Sequence, residues 1–314
     1  VTSLQLIDKP SDSSKFDDEI ESTDINYGSN TTGLDKVTDK KYFKNQDAKS
    51  YLLKPMKYGL FSGGKGFRSK IIVDTGKIFN IDYNLLKALS AAVECVHSYS
   101  LIHDDLPCMD DDDIRRGKPS THKKFGESTA ILSGNSLLTL AFEILSDKKL
   151  KLKNTIKTKL IYSLAACSGH TGIAGGQYLD LNFEHKKVNK LQLIEMQNKK
   201  TGKLFSFCCS SSAIIKEKKL SIKKDLSQIG LQIGLLYQIS DDLIDVRGNS
   251  NKGGKATKRD ITRGKATLIN LLGYNNSLEF AHSLKNKLVN KIKKYGTKSR
   301  DLLESLEYII HREV

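Results

Sequence analysis

From residue 41 onward, apolar residues recur three and four positions apart in long stretches divided by short polar or glycine-rich breaks. That is the period of amphipathic helices, in which residues i, i+3 and i+4 share one face. Stretches 83–103, 128–145, 191–215 and 225–245 each predict a helix longer than the usual globular one. Breaks are expected at 62–64, 80–83, 117–120, 146–149, 169–176, 184–189, 216–221 and 247–264. Only four prolines interrupt the chain, which favours helices throughout. Residues 1–40 are rich in Ser, Thr, Asp and Asn and lack a sustained apolar period, so they read as a polar N-terminal segment. No solenoid-length repeat is visible. The pattern predicts one all-α domain over residues 41–314.

The composition narrows the class of function. A net charge of +15 raises the question of nucleic acid. Of the 51 basic residues, however, only eight are arginine, the side chain best suited to bidentate recognition of phosphate and guanine. The lysines instead spread along helical stretches such as 148–159, 216–224 and 285–298, as on solvated helix faces. No nucleic-acid partner is expected, and a basic surface would serve to attract small anions. The five cysteines, Cys95, Cys108, Cys167, Cys208 and Cys209, form no C-x-x-C pair, which suits a reducing cytoplasm. No apolar run reads as a membrane span and no secretory signal is visible. The acidic lead-in (Asp12, Asp17, Asp18, Glu19, Glu21, Asp24) argues against a mitochondrial transit peptide.

Two aspartate clusters carry the chemistry. His103-Asp104-Asp105-Leu106-Pro107-Cys108-Met109-Asp110-Asp111-Asp112-Asp113 follows the apolar run 91–102, and Ser240-Asp241-Asp242-Leu243-Ile244-Asp245 follows the run 229–239. Carboxylates crowded at the edge of an apolar helix are costly unless a cation compensates them. Asp241 and Asp245, four apart, share a helix face. Magnesium prefers such oxygen ligands and keeps open positions for phosphate. Arg115 and Arg116 directly follow the first cluster, pairing carboxylates for metal with guanidinium groups for phosphate. Gly63-Gly64-Lys65-Gly66-Phe67-Arg68 opens a helical stretch, an arrangement suited to an anion. His97 lies two turns before Asp104, and Gln238 lies one turn before Asp241 and Asp242. Lys255 and Lys265 stand in a Gly/Lys/Arg loop suited to covering a bound phosphate. No Walker-type phosphate loop or Rossmann fingerprint appears, and no nucleophile triad is needed.

Together these residues resemble the trans-isoprenyl diphosphate synthases, specifically the bacterial farnesyl (geranyltranstransferase) type. The resemblance runs from about residue 51 to 312, anchored at 91–113, 115–122, 175–181, 200–202 and 238–245, with the run 92–105 the most diagnostic. It implies an all-α, single-domain isoprenoid synthase bundle around a central cavity, acting as a homodimer. The implied reaction joins isopentenyl diphosphate head-to-tail to dimethylallyl or geranyl diphosphate, giving farnesyl diphosphate and diphosphate. By the same match, Asp104, Asp105, Asp110, Asp241, Asp242 and Asp245 hold Mg2+, about three ions per site. Asp104, Asp105, Lys200, Asp241 and Asp242 are the catalytic set. Arg115, Lys200, Thr201, Gln238 and Lys255 contact the allylic diphosphate. Lys65, Arg68, His97 and Arg116 hold isopentenyl diphosphate, and Gln177 and Asp180 match a motif at the cavity wall. Tyr99, with its neighbour Ser100, is placed where the growing chain would stop.

Three positions depart from the family pattern. Gly66 stands where an arginine is usual, Ser69 replaces a proline, and Tyr237 replaces a phenylalanine. The alternatives weighed are a geranylgeranyl diphosphate synthase, a non-catalytic subunit of a heteromeric synthase and a terpene cyclase. Two intact aspartate motifs argue against the second, and an isopentenyl diphosphate site argues against the third.

Overall fold

The computed structural model describes residues 51–251 and 267–311, with side chains through 246 in the first span. The helices in chain order are α1 (Leu53–Leu60), α2 (Phe67–Ile78), α3 (Tyr83–Asp104), α4 (Thr121–Phe125), α5 (Glu127–Ser146), α6 (Asn154–Ser168) and α7 (Ile173–Phe183). There follow α8 (Lys190–Gln197), α9 (Lys203–Ile215), α10 (Leu220–Asn251), α11 (Leu268–Leu272), α12 (Tyr274–Lys293) and α13 (Arg300–His311). The expected all-α architecture is what forms. The polar segment 1–40 and both loop lysines, Lys255 and Lys265, lie outside the described residues.

Local sequence explains most boundaries. The Asp82 side chain caps α3 by accepting from the Asn84 and Leu85 amides, and Asn189 and Gln192 form a reciprocal capping box on α8. Three expectations need correction. The break at 169–176 is shorter than predicted, because α7 begins at Ile173 and takes Gly175 and Gly176 into its first turns. The break at 117–120 holds part of a short antiparallel hairpin, β1 (Ile114–Arg115) and β2 (Lys118–Pro119), whose turn is Arg116–Gly117. Arg116 and Gly117 take φ values of 53° and 74°, and two consecutive positive φ angles are what a two-residue hairpin turn requires. Finally, α10 continues past Asp245 to Asn251, so the second aspartate cluster lies inside a helix and not at its end.

The core is assembled mainly by α3 against α5 and by α9 against α10, with α2 joining the two pairs. Among the largest fully buried side chains are Phe205 and Phe207 of α9, Ile71 and Ile72 of α2, and Leu137 and Ile144 of α5. Phe67 of α2 stacks on Tyr237 of α10 and Tyr308 of α13, with ring centroids 5.2 and 5.9 Å apart. Asp74, buried on α2, accepts from Lys70 (2.9 and 3.0 Å) and from Ser305 of α13 (2.5 Å), which pins the C-terminal helix. By length and composition α3 and α5 would each suffice to cross a membrane, contrary to the expectation that no such run exists. The window on α3 is 72 % buried inside the fold and that on α5 44 %. Such apolarity is what a helix enclosed by neighbours shows, and the exposed remainder of α5 includes Ile131 and Leu132.

Candidate active site

The first aspartate cluster begins where α3 ends. Asp104 is its last residue and Asp105 its C-cap, so two carboxylates meet the partial negative charge of the helix terminus. The loop then folds back on itself: the Asp110 amide donates to the Asp104 carbonyl at 2.8 Å, and the Asp112 amide to the Asp105 carbonyl at 3.1 Å. This tucks Asp110 inside while Asp111 and Asp113 stay exposed. Arg115, on β1, reaches back to Asp105 through Nε at 2.9 Å and also through Nη2, and its Nη2 lies 3.3 Å from Asp112. Asp105 is thus paired with a guanidinium.

In the first cluster, burial works against the charged form of the carboxylates. The Asp104 carboxyl is raised to about 7, chiefly by burial, with Asp110 and Asp105 adding like charge against Lys200 and Arg115. Burial also raises Asp105, opposed by Arg115. Burial pushes Lys200 down, but Asp180, Asp104 and Asp110 outweigh it and its pKa is raised.

A π-helical turn, Asn198–Gly202, carries Lys200 and Thr201 between α8 and α9. Such one-turn widenings of a helix occur frequently at functional sites. Lys200 Nζ lies 2.6 Å from Asp180 Oδ2 on α7. The two elements approach so closely that a Cβ on Gly176 would stand 2.1 Å from the Lys200 amide nitrogen, which explains a glycine there. On the other side, Thr201 Oγ1 donates to Gln238 Oε1 at 3.2 Å, and Gln238 Nε2 donates to Asp242 Oδ1 at 3.0 Å. Gln177 Nε2 reaches Asp110 Oδ1 at 3.5 Å. One turn therefore connects the two aspartate clusters, through Lys200 to the first and through Thr201 and Gln238 to the second. Within the second, Asp241 and Asp242 are half-buried and Asp245 is exposed.

The predicted isopentenyl group also comes together. Arg68 Nη1 lies 3.1 Å from His97 Nε2, and its guanidinium sits over the Phe205 ring, 4.9 Å from the centroid. Burial, followed by Arg68, Arg116 and Arg115, holds the His97 pKa well below its usual value, so the imidazole is neutral. Arg116, on the hairpin turn, points away from Arg115 toward the loop before α2. Its Nη1 is 3.4 Å from Ser62 Oγ, and its guanidinium lies against Gly64, where a Cβ would stand 2.6 Å from it. Lys65 Nζ lies 6.0 Å from the Tyr308 ring centroid.

Sequence reasoning gave no role to three residues at the first cluster, although it quoted two of them, Asp111 and Asp113, as members of that cluster. Asp111, Asp113 and His122 bring one possible ligand atom each within 4.8 Å of one another, with Lys123 Nζ 3.0 Å from Asp113. A histidine nine residues past the end of an acidic run, beyond a Gly-containing turn, was the available signal. Glu94, one turn before His97, was likewise overlooked.

Helices that carry two linked carboxylate clusters, with lysine and arginine between them, define an all-α isoprenoid synthase. The chain belongs to the polyprenyl synthetase family, whose model matches residues 49–308. It is 41 % identical to farnesyl diphosphate synthase of Escherichia coli (strain K12) over 83 % of this chain and 89 % of that protein. Among solved structures it is similar to an FPP/GFPP synthase of Zymomonas mobilis, with TM-score 0.79 and 36 % identity, covering 88 % of this chain and 94 % of the other. It is also similar to a Helicobacter pylori geranyltransferase complexed with magnesium and isoprenyl diphosphate, with TM-score 0.75 and 32 % identity over 88 % and 92 % of the respective chains.

Proposed function

We propose that this chain is a prenyltransferase that condenses isopentenyl diphosphate with dimethylallyl or geranyl diphosphate to give farnesyl diphosphate and diphosphate. The observation that carries the reading is the bridge from Asp104 through Lys200, Thr201 and Gln238 to Asp242, because it gathers both carboxylate clusters about one set of phosphate-binding groups.

The donor set of the two aspartate motifs fits magnesium: every ligand they offer is a hard carboxylate oxygen, and burial with like-charged neighbours makes the Asp104 carboxylate one that a cation would stabilise. Asp104, Asp105, Asp110, Asp241, Asp242 and Asp245 would hold the ions, about three by family pattern, and Asp105 also orients Arg115. Bound magnesium supplies charge neutralisation for the departing diphosphate.

The protein's own groups do the remainder. Lys200 and Arg115 stabilise negative charge as the allylic C–O bond ionises, and Thr201 and Gln238 fix the position of Lys200 and Asp242. Lys255 is assigned to the same diphosphate. Lys65, Arg68, His97 and Arg116 hold isopentenyl diphosphate. Arg68 Nε supports this, being a buried donor with no hydrogen-bond partner among the described residues. The isopentenyl double bond attacks the allylic carbon, and the proton lost from the adduct passes to the released diphosphate. An apolar cavity of the kind the family implies would exclude water from the cation.

The catalytic domain is taken as residues 41–314. A homodimer is supported by the exposed Ile131 and Leu132 on α5, and a cytoplasmic location by the free cysteines. Incubating the protein with labelled isopentenyl diphosphate and each allylic starter, with and without Mg2+, tests the reading. Magnesium-dependent farnesyl diphosphate is the expected product; no condensation with any starter overturns it.

A further inference from the structure

Positive charge collects at one end of the bundle. The turns 148–153, 216–219 and 293–298 hold ten lysines, all exposed, and one carboxylate, Glu217. Side-chain contacts join these turns into one surface. Lys153 Nζ lies 2.8 Å from Glu217 Oε2, and Lys218 Nζ stands 5.8 Å from the ring centroid of Phe79, the C-cap of α2. Phe79 in turn meets Tyr295 at 6.1 Å between centroids, and Lys298 Nζ donates to Asn80 Oδ1 at 2.9 Å.

This end is remote from the aspartate clusters. α9 begins at Lys203, just past Lys200, and ends at Ile215, and α10 runs from Leu220 before it reaches Asp241. At 1.5 Å per residue those spans are roughly 20 and 30 Å. Charges in water are screened over about 8 Å at physiological salt, so these lysines do not help to hold diphosphates at the site. Nor do the helix dipoles account for them. Lys151 and Lys153 stand just before the N-terminus of α6, and Lys218 and Lys219 just before that of α10, where a cation is disfavoured. Two apolar side chains stand out among the lysines. Leu220, 66 % exposed, follows Lys219, and Tyr83, 45 % exposed, follows the turn 79–82.

We propose that this end of the bundle is a docking face for an anionic lipid bilayer, its lysines meeting the headgroups and Leu220 and Tyr83 entering the interfacial layer. The proposal goes beyond the prenyl-transfer reading and does not depend on it. Each lysine brought near such a surface strengthens binding by about fivefold. Charge combined with exposed apolar side chains is what reversible attachment to a bilayer surface takes, and tyrosine is favoured at that depth. Nucleic acid fits less well, because all ten cations are lysine and none offers the planar fork with which arginine grips a phosphate. A second copy of the same face would be repelled by its own charge.

Co-sedimentation of the full chain with vesicles tests this, using phosphatidylcholine alone and phosphatidylcholine mixed with phosphatidylglycerol. Binding is expected to the mixed vesicles only, and to weaken as salt is raised. The triple variant Lys216→Glu, Lys218→Glu, Lys219→Glu should lower the affinity by at least about tenfold. The same reversal at Lys186, Lys187 and Lys190, exposed lysines around the start of α8, should lower it by less than about threefold. Leu220→Gln, which leaves the charge intact, should weaken binding by about threefold. If circular dichroism shows the first triple variant to be misfolded, Lys148→Glu, Lys149→Glu, Lys151→Glu decides in its place. Equal losses from the lysine-end and control variants would show attraction by net charge alone and overturn the docking face. No binding to either vesicle, or equal binding to both, would overturn it too. An oligonucleotide that binds as tightly as the mixed vesicles, with no effect of Leu220→Gln on either, would overturn the choice of a bilayer.

Discussion

The Lys200 ammonium is held 2.6 Å from Asp180 and is at the same time the largest counter-charge acting on Asp104. Asp180 therefore works as a tether from α7, holding a cation at the head of the first aspartate cluster. Lys200→Ala should lower kcat by about a hundredfold, the scale of a lost transition-state charge contact. Asp180→Asn, which frees Lys200 without removing it, should lower kcat by about tenfold. Steady-state kinetics with geranyl diphosphate decide this, and equal losses in the two variants would refute the tether.

Removal of a carboxylate from either cluster should be more severe. Asp104→Ala or Asp241→Ala is expected to cut turnover by at least about a hundredfold. If the lost group is a ligand, as proposed, raised Mg2+ should recover little of it. Near-normal rates in either variant at saturating Mg2+ would exclude that residue from metal binding.

Protons and metal should compete at Asp104. Its carboxyl is raised from 3.8 to about 7, first by burial and then by Asp110 and Asp105. A folded-state pKa above the unfolded one contributes stability that is full below 3.8 and is lost as pH rises to about 7. The metal-free protein should therefore lose thermal stability across that window relative to Asp104→Asn. His97, whose pKa is lowered, has the opposite slope, but both proteins share it and it cancels in the difference. Mg2+ should raise the melting temperature more at pH above that window than within it. Parallel melting curves for the two proteins across the window would show that Asp104 does not titrate there.

Much of this was legible because periodicity and motif spacing are local properties. The α3 and α5 spans follow from apolar residues three and four apart, and the Asp104–Asp113 run announces its own charge problem. What was hidden arises from contacts between elements. No spacing reveals that Lys200 sits on a π-turn pressed against Gly176, or that the expected divergence of Arg115 and Arg116 comes from one being on a strand and the other on a turn. Glu94 was invisible for a related reason: a lone glutamate in an apolar helix gains meaning only when Ser69, 25 residues away, closes on it.

The depth of the product cavity should be set by Tyr99. It lies five residues before Asp104 on α3, roughly 7–8 Å along the axis. A chain growing from the metal-bound diphosphate down this helix would meet its ring. The structure shows why that ring would resist displacement. Tyr99 is only 8 % exposed, and its hydroxyl donates to the Ser168 carbonyl at the end of α6 at 3.3 Å. Its ring meets His103 edge-on at 5.8 Å, and His103 in turn fills the space over Gly134 of α5. Ser100, by contrast, bonds back to the His97 carbonyl at 2.9 Å and offers little bulk. Tyr99→Ala should open volume below the site at a cost of about 3–5 kcal/mol in stability, the range for buried aromatic truncations. Its products should extend beyond fifteen carbons. Tyr99→Phe keeps the ring and loses only the bond to Ser168, so its product should remain farnesyl diphosphate. Chromatography of the dephosphorylated products distinguishes the cases. Farnesyl diphosphate as sole product of folded Tyr99→Ala would move the floor of the cavity to another residue.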